Sequence, residues 1–161
     1  MMTEDGALRF FYFNIQHAVE VHDWIIDHSG GLVGTKDIGE LESPLEHIKN
    51  DIYYPNMERK LTHLVFGINK NHAFNDGNKR SSIALGGYFL ELNGYDFVVT
   101  RFVQEMENIA VWVADNVIDK ALLFEIVTSL IYEEEYSEAL KLAIAIATLK
   151  ADEQKNRESL C

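Results

Sequence analysis

The chain has little cysteine, little proline and no long hydrophobic run. Its single cysteine, Cys161, excludes an intrachain disulfide and suits a reducing compartment, so we predict a cytoplasmic protein. Residues 1–10 are acidic where a signal peptide would be basic. The longest apolar runs, such as "IAVWVA", are too short to cross a bilayer, and we expect no membrane partner.

Basic residues are scarce relative to acidic ones. The chain has 14 Lys and Arg against 26 Asp and Glu, which gives a formal net charge of −12. The phosphate backbone of a nucleic acid would be repelled on average, so we expect no nucleic acid partner. Any polyanion that binds must therefore meet a local cluster of cations.

Strand-like alternation is nearly absent, and apolar residues recur at helical spacing along most of the chain. With 47% apolar side chains in 161 residues, the chain can bury a hydrophobic core. We predict one all-α domain, with a core over about residues 10–133 and an extra C-terminal helix over about 137–152.

Capping residues and glycines mark the predicted helix ends. Asn14 and Asn56 are typical N-caps, and Asn93 with Gly94 is a typical helix end. Further helices are predicted over about 44–52, 101–114, 119–133 and 137–152, with an extended piece at "YDFVV" and a frayed tail after 151. The glycine-rich segment that begins at Gly31 favours a turn-rich loop or a short β-hairpin. The helix that ends at Asn93 contains Gly86 and Gly87, which would permit close approach of a neighbour, so we expect it to be central.

The most informative stretch is "NHAFNDGNKR", residues 71–80, which precedes this central helix. Unpaired backbone N–H groups and the positive end of a helix dipole form a site for phosphate. Gly77 and Asn78 would form this nest. Lys79 and Arg80 add positive charge that an ordinary helix start avoids.

Two residues of the same stretch suggest catalysis. Asp76 offers an oxygen ligand that would hold Mg²⁺ against phosphate oxygens. His72 is the next member of the apolar stripe of the preceding helix and is placed to take a proton from a hydroxyl. Taken singly, each residue also fits a core, turn or solvated role. Their combination within ten residues favours a site for phosphoryl-type transfer.

The segment "HAFNDGNKR" resembles the signature of the Fic/Doc (Fido) family. The upstream segment "VHDWIIDHSGGLVGTKDIG" is similar to the helix, Gly-Gly turn and flap of the death-on-curing (Doc) branch, so the resemblance covers about residues 10–95. It implies a Fido-type helical bundle with a short β-hairpin flap, and ATP or another nucleoside triphosphate with Mg²⁺ as cofactors.

The resemblance also implies residue roles. His72 would be the general base, Phe74 a core anchor that fixes the loop, and Asp76 the Mg²⁺ ligand. Phosphate contacts would come from Gly77, Asn78, Lys79 and Arg80, and the target-docking flap would comprise Val33, Gly34, Thr35, Lys36 and Asp37.

Two departures from the Fic pattern bear on the reaction. Fic enzymes that transfer AMP have glycine where this chain has Lys79, and a second arginine where it has Ile83. Doc-like members share both departures, and the resemblance implies that they pass the γ-phosphate to a protein hydroxyl. Gly77 is Fic-like at its own position, so AMP transfer remains an alternative, as does a catalytically silent helical adaptor.

Partners follow from the same resemblance. They would be a target protein of the translation elongation factor class and a separate antitoxin, and the apolar last helix also suits a homodimer. The segment "SLIYEE" from Ser129 loosely matches an inhibitory Fic motif, although an ordinary amphipathic helix is favoured. His17, Glu20 and His22 lie too irregularly around one helix to share a zinc ion, and His22 with Asp23 is interpreted as core and support for the site.

Overall fold

The computed structural model describes residues 9–160, and all regular secondary structure in that range is helical. The predicted all-α class is confirmed. The helices are α1 (Ile15–Ser29), α2 (Gly39–His47), α3 (Met57–Lys70), α4 (Asn78–Leu92), α5 (Asp96–Ala114), α6 (Lys120–Tyr132) and α7 (Glu138–Ser159). No helix in this range is long and apolar enough to cross a membrane.

Side-chain caps explain where four of these helices begin. The side chains of Asn14, Asn56, Asp119 and Ser137 each accept a hydrogen bond from a backbone N–H in the first helical turn. Each cap satisfies a donor that has no partner inside its helix. The predicted starts of α1, α3, α6 and α7 are confirmed.

Helix α4 lies at the centre and packs against α1, α3 and α5. A Cβ added at Gly86 would lie 2.8 Å from Phe102 of α5 and 2.9 Å from Val65 of α3, so a larger residue would force these helices apart. Gly87 has ordinary space around it. The expected close approach is therefore confirmed at the first glycine only.

The second helix was predicted at the wrong place. It begins at Gly39, because the Asp37 side chain accepts the Gly39 N–H at 3.0 Å and turns the chain before it. It continues through Pro44, which packs over Gly67 of α3, and ends at His47 rather than near residue 52. Tertiary packing thus accommodates Pro44 inside the helix, whereas the sequence predicted that a helix would begin at this residue.

Two further boundaries differ from prediction. "YDFVV" is not extended, because α5 begins at Asp96 and buries Val98, Phe102 and Met106 at helical spacing against its neighbours. Packing outweighs the strand preference of the two valines. At the other end, α7 continues to Ser159, where a frayed tail was expected after 151.

The expected β-hairpin flap is not present among the described residues. Over residues 33–37 the only pairing of strand type is a single antiparallel bridge between Thr35 and Phe74. Backbone N–H groups of Lys36 and Asp37 both donate to the Ala73 carbonyl, at 2.7 and 3.0 Å. The flap segment therefore pairs with the loop before α4 instead of with itself.

Candidate active site

The loop from Asn71 to Gly77 joins α3 to α4 and contains most of the predicted site residues. Helix α3 ends at Lys70, so His72 leaves the apolar stripe that it was expected to extend. It is exposed and has a left-handed backbone conformation with φ of 53°. Such a conformation is costly for a residue with a side chain and occurs preferentially at functional sites.

Phe74 fixes the middle of this loop. Its side chain is 1% exposed, and its ring stacks on the imidazole of His22 with 3.6 Å between centroids and 3° between planes. The loop is held at this point by the core beneath it and by the Thr35 bridge above.

Asn78, the first residue of α4, closes the loop on itself. Its side-chain oxygen accepts from the Phe74 N–H at 3.2 Å, and its Nδ2 donates to the Phe74 carbonyl at 3.0 Å. Both ends of the amide are thus used within the protein. The Asn78 side chain is therefore engaged by the loop, and its backbone N–H is left without a partner among the described residues.

His22 supports the loop from α1. It is fully buried, and its Nε2 lies 2.7 Å from the carbonyl oxygen of Asp76, while its Nδ1 lies 3.1 Å from the Asp23 carboxylate. Because a carbonyl can only accept, Nε2 carries a proton and donates to it. The predicted role as a buried support is confirmed for His22, whereas the Asp23 carboxylate is 64% exposed and contacts the His22 ring instead of joining the core.

The carboxylate of Asp76 is held in place by two backbone donors. Leu32 N–H donates to Oδ2 at 3.1 Å and Gly77 N–H donates to Oδ1 at 2.8 Å. These hydrogen bonds lower the pKa of Asp76, and the charges of Arg80 and Lys79 act in the same direction. The group is therefore ionised at neutral pH, while its side chain stays 45% exposed.

Arg80 joins α4 to the end of α1. Its Nη1 donates to Ser29 Oγ at 2.7 Å and to the Gly30 carbonyl at 2.8 Å, and its Nη2 lies 3.8 Å from Asp76 Oδ1. A Cβ added at Gly31 would lie 2.7 Å from Asp76 Oδ2 and 3.0 Å from Arg80 Nη2. The Gly-Gly turn is thus part of the site.

The start of α4 offers unpaired donors. Gly77 is the N-cap residue, in a left-handed conformation with φ of 79°, and provides no capping side chain. Within residues 9–160, the backbone N–H groups of Asn78, Lys79 and Arg80 have no hydrogen-bond partner. The Lys79 side chain is exposed beside them. Three free donors, the helix dipole and an ammonium group are suited to a phosphate.

The residues present fit a magnesium ion that also binds phosphate. Among the described residues, no group of three or more His, Cys, Asp or Glu side chains is arranged to hold a metal. Magnesium usually takes one or two carboxylates, with waters and substrate phosphates completing its shell. The ionised, partly exposed Asp76 next to the free N–H groups of α4 meets that requirement.

Sequence reasoning did not identify the groups of the turn after α1 that hold this site. The Ser29 hydroxyl and the Gly30 carbonyl accept from Arg80, and the Leu32 N–H donates to Asp76, whereas the glycines of this segment predicted only a turn-rich loop or hairpin. The flap lies along the same loop, since Asn75 N–H donates to the Gly34 carbonyl at 3.2 Å.

Comparison with known proteins agrees with this geometry. The model of the Fic/DOC family matches residues 12–90, which include α1 to α3, the site loop and most of α4. Toxin Doc of Mycolicibacterium smegmatis is 33% identical over 89 residues, a match that covers 50% of this chain and 68% of that protein. This chain belongs to the Fic/DOC family.

Proposed function

We propose that the protein is a Doc-like toxin that transfers the γ-phosphate of ATP, or of another nucleoside triphosphate, to a hydroxyl of a target protein. Family membership and the similarity to a protein named Toxin Doc support this proposal. The single observation that carries it is the open N-terminus of α4, where three free N–H groups and Lys79 lie beside an ionised Asp76.

The triphosphate would rest against the start of α4. The N–H groups of residues 78–80 supply donors that point out of the helix, and Lys79 supplies a cation. Arg80 would act chiefly by holding the turn after α1, although its Nη2 near Asp76 can also reach a phosphate oxygen. Mg²⁺ bound to Asp76 would neutralise charge on the phosphates.

His72 is proposed as the general base. It is exposed on the loop that contains Asp76, and the left-handed backbone holds it away from α3. A base in this position would take the proton of the target hydroxyl as that oxygen attacks the γ-phosphorus, and the bond to the bridging oxygen would break to release the nucleoside diphosphate. The Phe74 anchor and the Asn78 clamp keep the loop rigid, which reduces the cost of reaching the reactive geometry.

The identity of residue 83 favours phosphate transfer over AMP transfer. Ile83 is half-buried against the core, so this turn of α4 offers no second guanidinium for a triphosphate. Lys79 would also crowd the nest in the orientation that AMP transfer requires. Gly77, which leaves room next to Ile26 and His22, is compatible with AMP transfer and keeps that reaction as the second candidate.

Target docking is proposed for Val33, Gly34, Thr35, Lys36 and Asp37. Val33 is 77% exposed, although part of the backbone of residues 33–37 is already bonded to the site loop at Ala73, Phe74 and Asn75. A target segment would pair with the remaining backbone groups and bring its hydroxyl to His72. We further propose an elongation factor as target, an antitoxin as inhibitor, a homodimer through α7, and action in the cytoplasm.

Labelled nucleotide tests the reaction. Protein incubated with Mg²⁺, a cell extract and ATP labelled at the γ position should label a protein band, whereas ATP labelled at the α position should not. Label transferred from the α position alone would replace phosphate transfer by AMP transfer.

The His72→Ala variant separates an enzyme from a silent adaptor. We expect it to retain nucleotide binding and thermal stability while losing transfer and toxicity, because the side chain is exposed and makes no core contact. Unchanged toxicity of this variant would support the adaptor.

A further inference from the structure

A cavity lies at the opposite end of α3 from the site loop. It has a volume of about 620 Å³ and is open to solvent between α3, α6 and the segment before α3. Arg59 and Lys120 line it together with Thr62. Residues 59–70 span about 17 Å of helix, so this cavity is separate from the proposed active site.

Two cations lie in this cavity without a carboxylate partner. Within residues 9–160, neither Arg59 nor Lys120 has an acidic oxygen within 4.0 Å. The charge of Arg59 and partial burial both lower the pKa of Lys120, with burial the larger cause. Two neighbouring cations that repel each other are unusual in a chain with a net charge of −12. An anion between them would relieve this repulsion.

Lys120 is held in position by a neutral histidine. Its Nζ lies 2.7 Å from Nδ1 of His63, and Nε2 of His63 lies 3.0 Å from Nδ1 of His47. Burial, with the charges of Lys120 and His47, lowers the pKa of His63 to about 4, so the ring is neutral at pH 7 and accepts from the ammonium. The remaining ammonium protons are available to a ligand.

Thr62 provides an independent indication of a ligand. The residue is 2% exposed and lines the cavity, and its hydroxyl has no hydrogen-bond partner among the described residues. A buried hydroxyl without a partner is costly, and in native proteins it calls for an explanation. A ligand oxygen in the cavity would accept from it.

Most of the remaining lining is aromatic, and Ala121 and Glu125 complete it. Tyr53 and Tyr54 lie on one side, and Phe124, which stacks under the Arg59 guanidinium at 3.9 Å, lies on the other. Tyr53 is 73% exposed, which is high for so large an apolar ring. Such a surface accommodates a planar ring next to the charged group of a ligand.

We propose that this cavity binds a small aromatic anion, that is, a planar ring bearing a phosphate or carboxylate group. Arg59, Lys120 and the Thr62 hydroxyl hold the anionic group, and the ring packs among the tyrosines and Phe124. This site is independent of the proposed transfer reaction, because none of these residues belongs to the loop before α4.

Phenyl phosphate is the probe, and benzoate tests whether a carboxylate can replace the phosphate. Two controls each keep a single feature: inorganic phosphate lacks the ring, and phenol lacks the charge. We expect phenyl phosphate to bind to the full-length protein with a Kd below about 1 mM, and each single-feature arm to bind at least tenfold more weakly, roughly the loss of one good contact. Amide NMR shifts locate binding at residues 53–62 and 120–125, while shifts confined to residues 77–80 would overturn the assignment.

Variants of the cavity residues should change the affinity for phenyl phosphate in opposite directions, depending on the charge that is removed. Arg59→Gln and Lys120→Gln should each weaken phenyl phosphate binding by about tenfold or more, as expected for loss of a charged hydrogen bond. Glu125→Gln should strengthen binding, because this carboxylate also lines the cavity and repels an anion. Arg157→Gln, a charge removal on exposed α7, should change nothing. Equal effects of all three cation variants would show binding to net charge alone and overturn the proposal.

The Thr62→Val variant tests ligand binding without disturbing the fold. Because the hydroxyl has no partner, its removal should leave the Tm unchanged or higher while weakening phenyl phosphate binding severalfold. Unaltered binding in this variant, or a Tm lowered by several degrees, would overturn the role of the hydroxyl as a ligand contact.

Discussion

The imidazole Nε2 of His22 donates a 2.7 Å hydrogen bond to the carbonyl of Asp76, across 54 residues of sequence. The same ring stacks on Phe74, so one buried side chain fixes both the anchor of the loop and Asp76, the proposed magnesium ligand. His22 touches no substrate in the proposed reaction and is a positioning residue. It links the first helix to the chemistry at the start of α4.

Replacing His22 by Phe tests this link. The variant keeps a ring against Phe74 but removes the donor to the Asp76 carbonyl, which costs about 1–2 kcal/mol of stability. We expect a larger effect on transfer than on folding, seen as weaker Mg²⁺ dependence at unchanged helix content. Asp23→Asn is the control, since its carboxylate is 64% exposed and should alter transfer little. A variant with normal transfer would contradict the positioning role.

Gly31→Ala should displace the Asp76 carboxylate. Gly31 has φ of +127°, and an added Cβ would lie 2.7 Å from Asp76 Oδ2 and 2.9 Å from Ile26 Cδ1. Strain and overlap together cost about 2–3 kcal/mol, and transfer should be lost. Gly30→Ala is a matched control with φ of +85° and nothing within 4 Å of the added Cβ. It should lose about 1 kcal/mol and retain most activity.

Lys60 has the largest fully buried side chain among the described residues, and its hydrogen bonds should be important for stability. It is 0% exposed, and its Nζ donates to the Ile48 carbonyl at 2.6 Å and to Asp51 Oδ1 at 2.7 Å. Lys60→Met leaves that carbonyl without a donor, so we expect a loss of about 2–3 kcal/mol in urea unfolding. Lys49→Met, which breaks an exposed pair with Glu46, should cost less than about 1 kcal/mol. Equal losses would refute this account.

Acid should destabilise the protein through His63. Its pKa falls from the usual 6.5 to about 4 on folding, so the unfolded chain binds a proton that the folded protein does not. Stability therefore decreases as the pH falls through this window, by an amount of the order of 2 kcal/mol after solvent screening. His63→Gln should flatten the dependence of Tm on pH between 6.5 and 4, whereas exposed His28→Gln should not.

Removal of α7 should be tolerated. Leu140 is the buried residue of this helix, and α7 packs only on α6 to an appreciable extent within the described part of the chain. A chain ending at Tyr136 should therefore lose about 1–3 kcal/mol, the value of one buried leucine and its partly buried neighbours. Transfer by this variant shows whether the helix restrains the site. Loss of cooperative unfolding would contradict the minor structural role.

Much of the site was predictable because its chemistry is contiguous in sequence. Residues 71–80 contain the base, the carboxylate, the nest and the cations, and the structure places them in one loop and the first turn of α4. The assigned roles remain predictions. The sequence pattern did not indicate that the Asn78 amide closes the loop. An asparagine at this position looks the same in sequence whether its side chain faces a ligand or the backbone.

The sequence by itself determined the all-α class and the starts of helices at Asn14, Asn56, Asp119 and Ser137, because capping and periodicity act within a few residues. Only the tertiary structure decided that Val98 and Val99 are helical, that the flap pairs with Ala73 and Phe74, and that Leu32 and His22 hold Asp76. These outcomes depend on burial and on backbone donors far apart in the chain, which local patterns do not record.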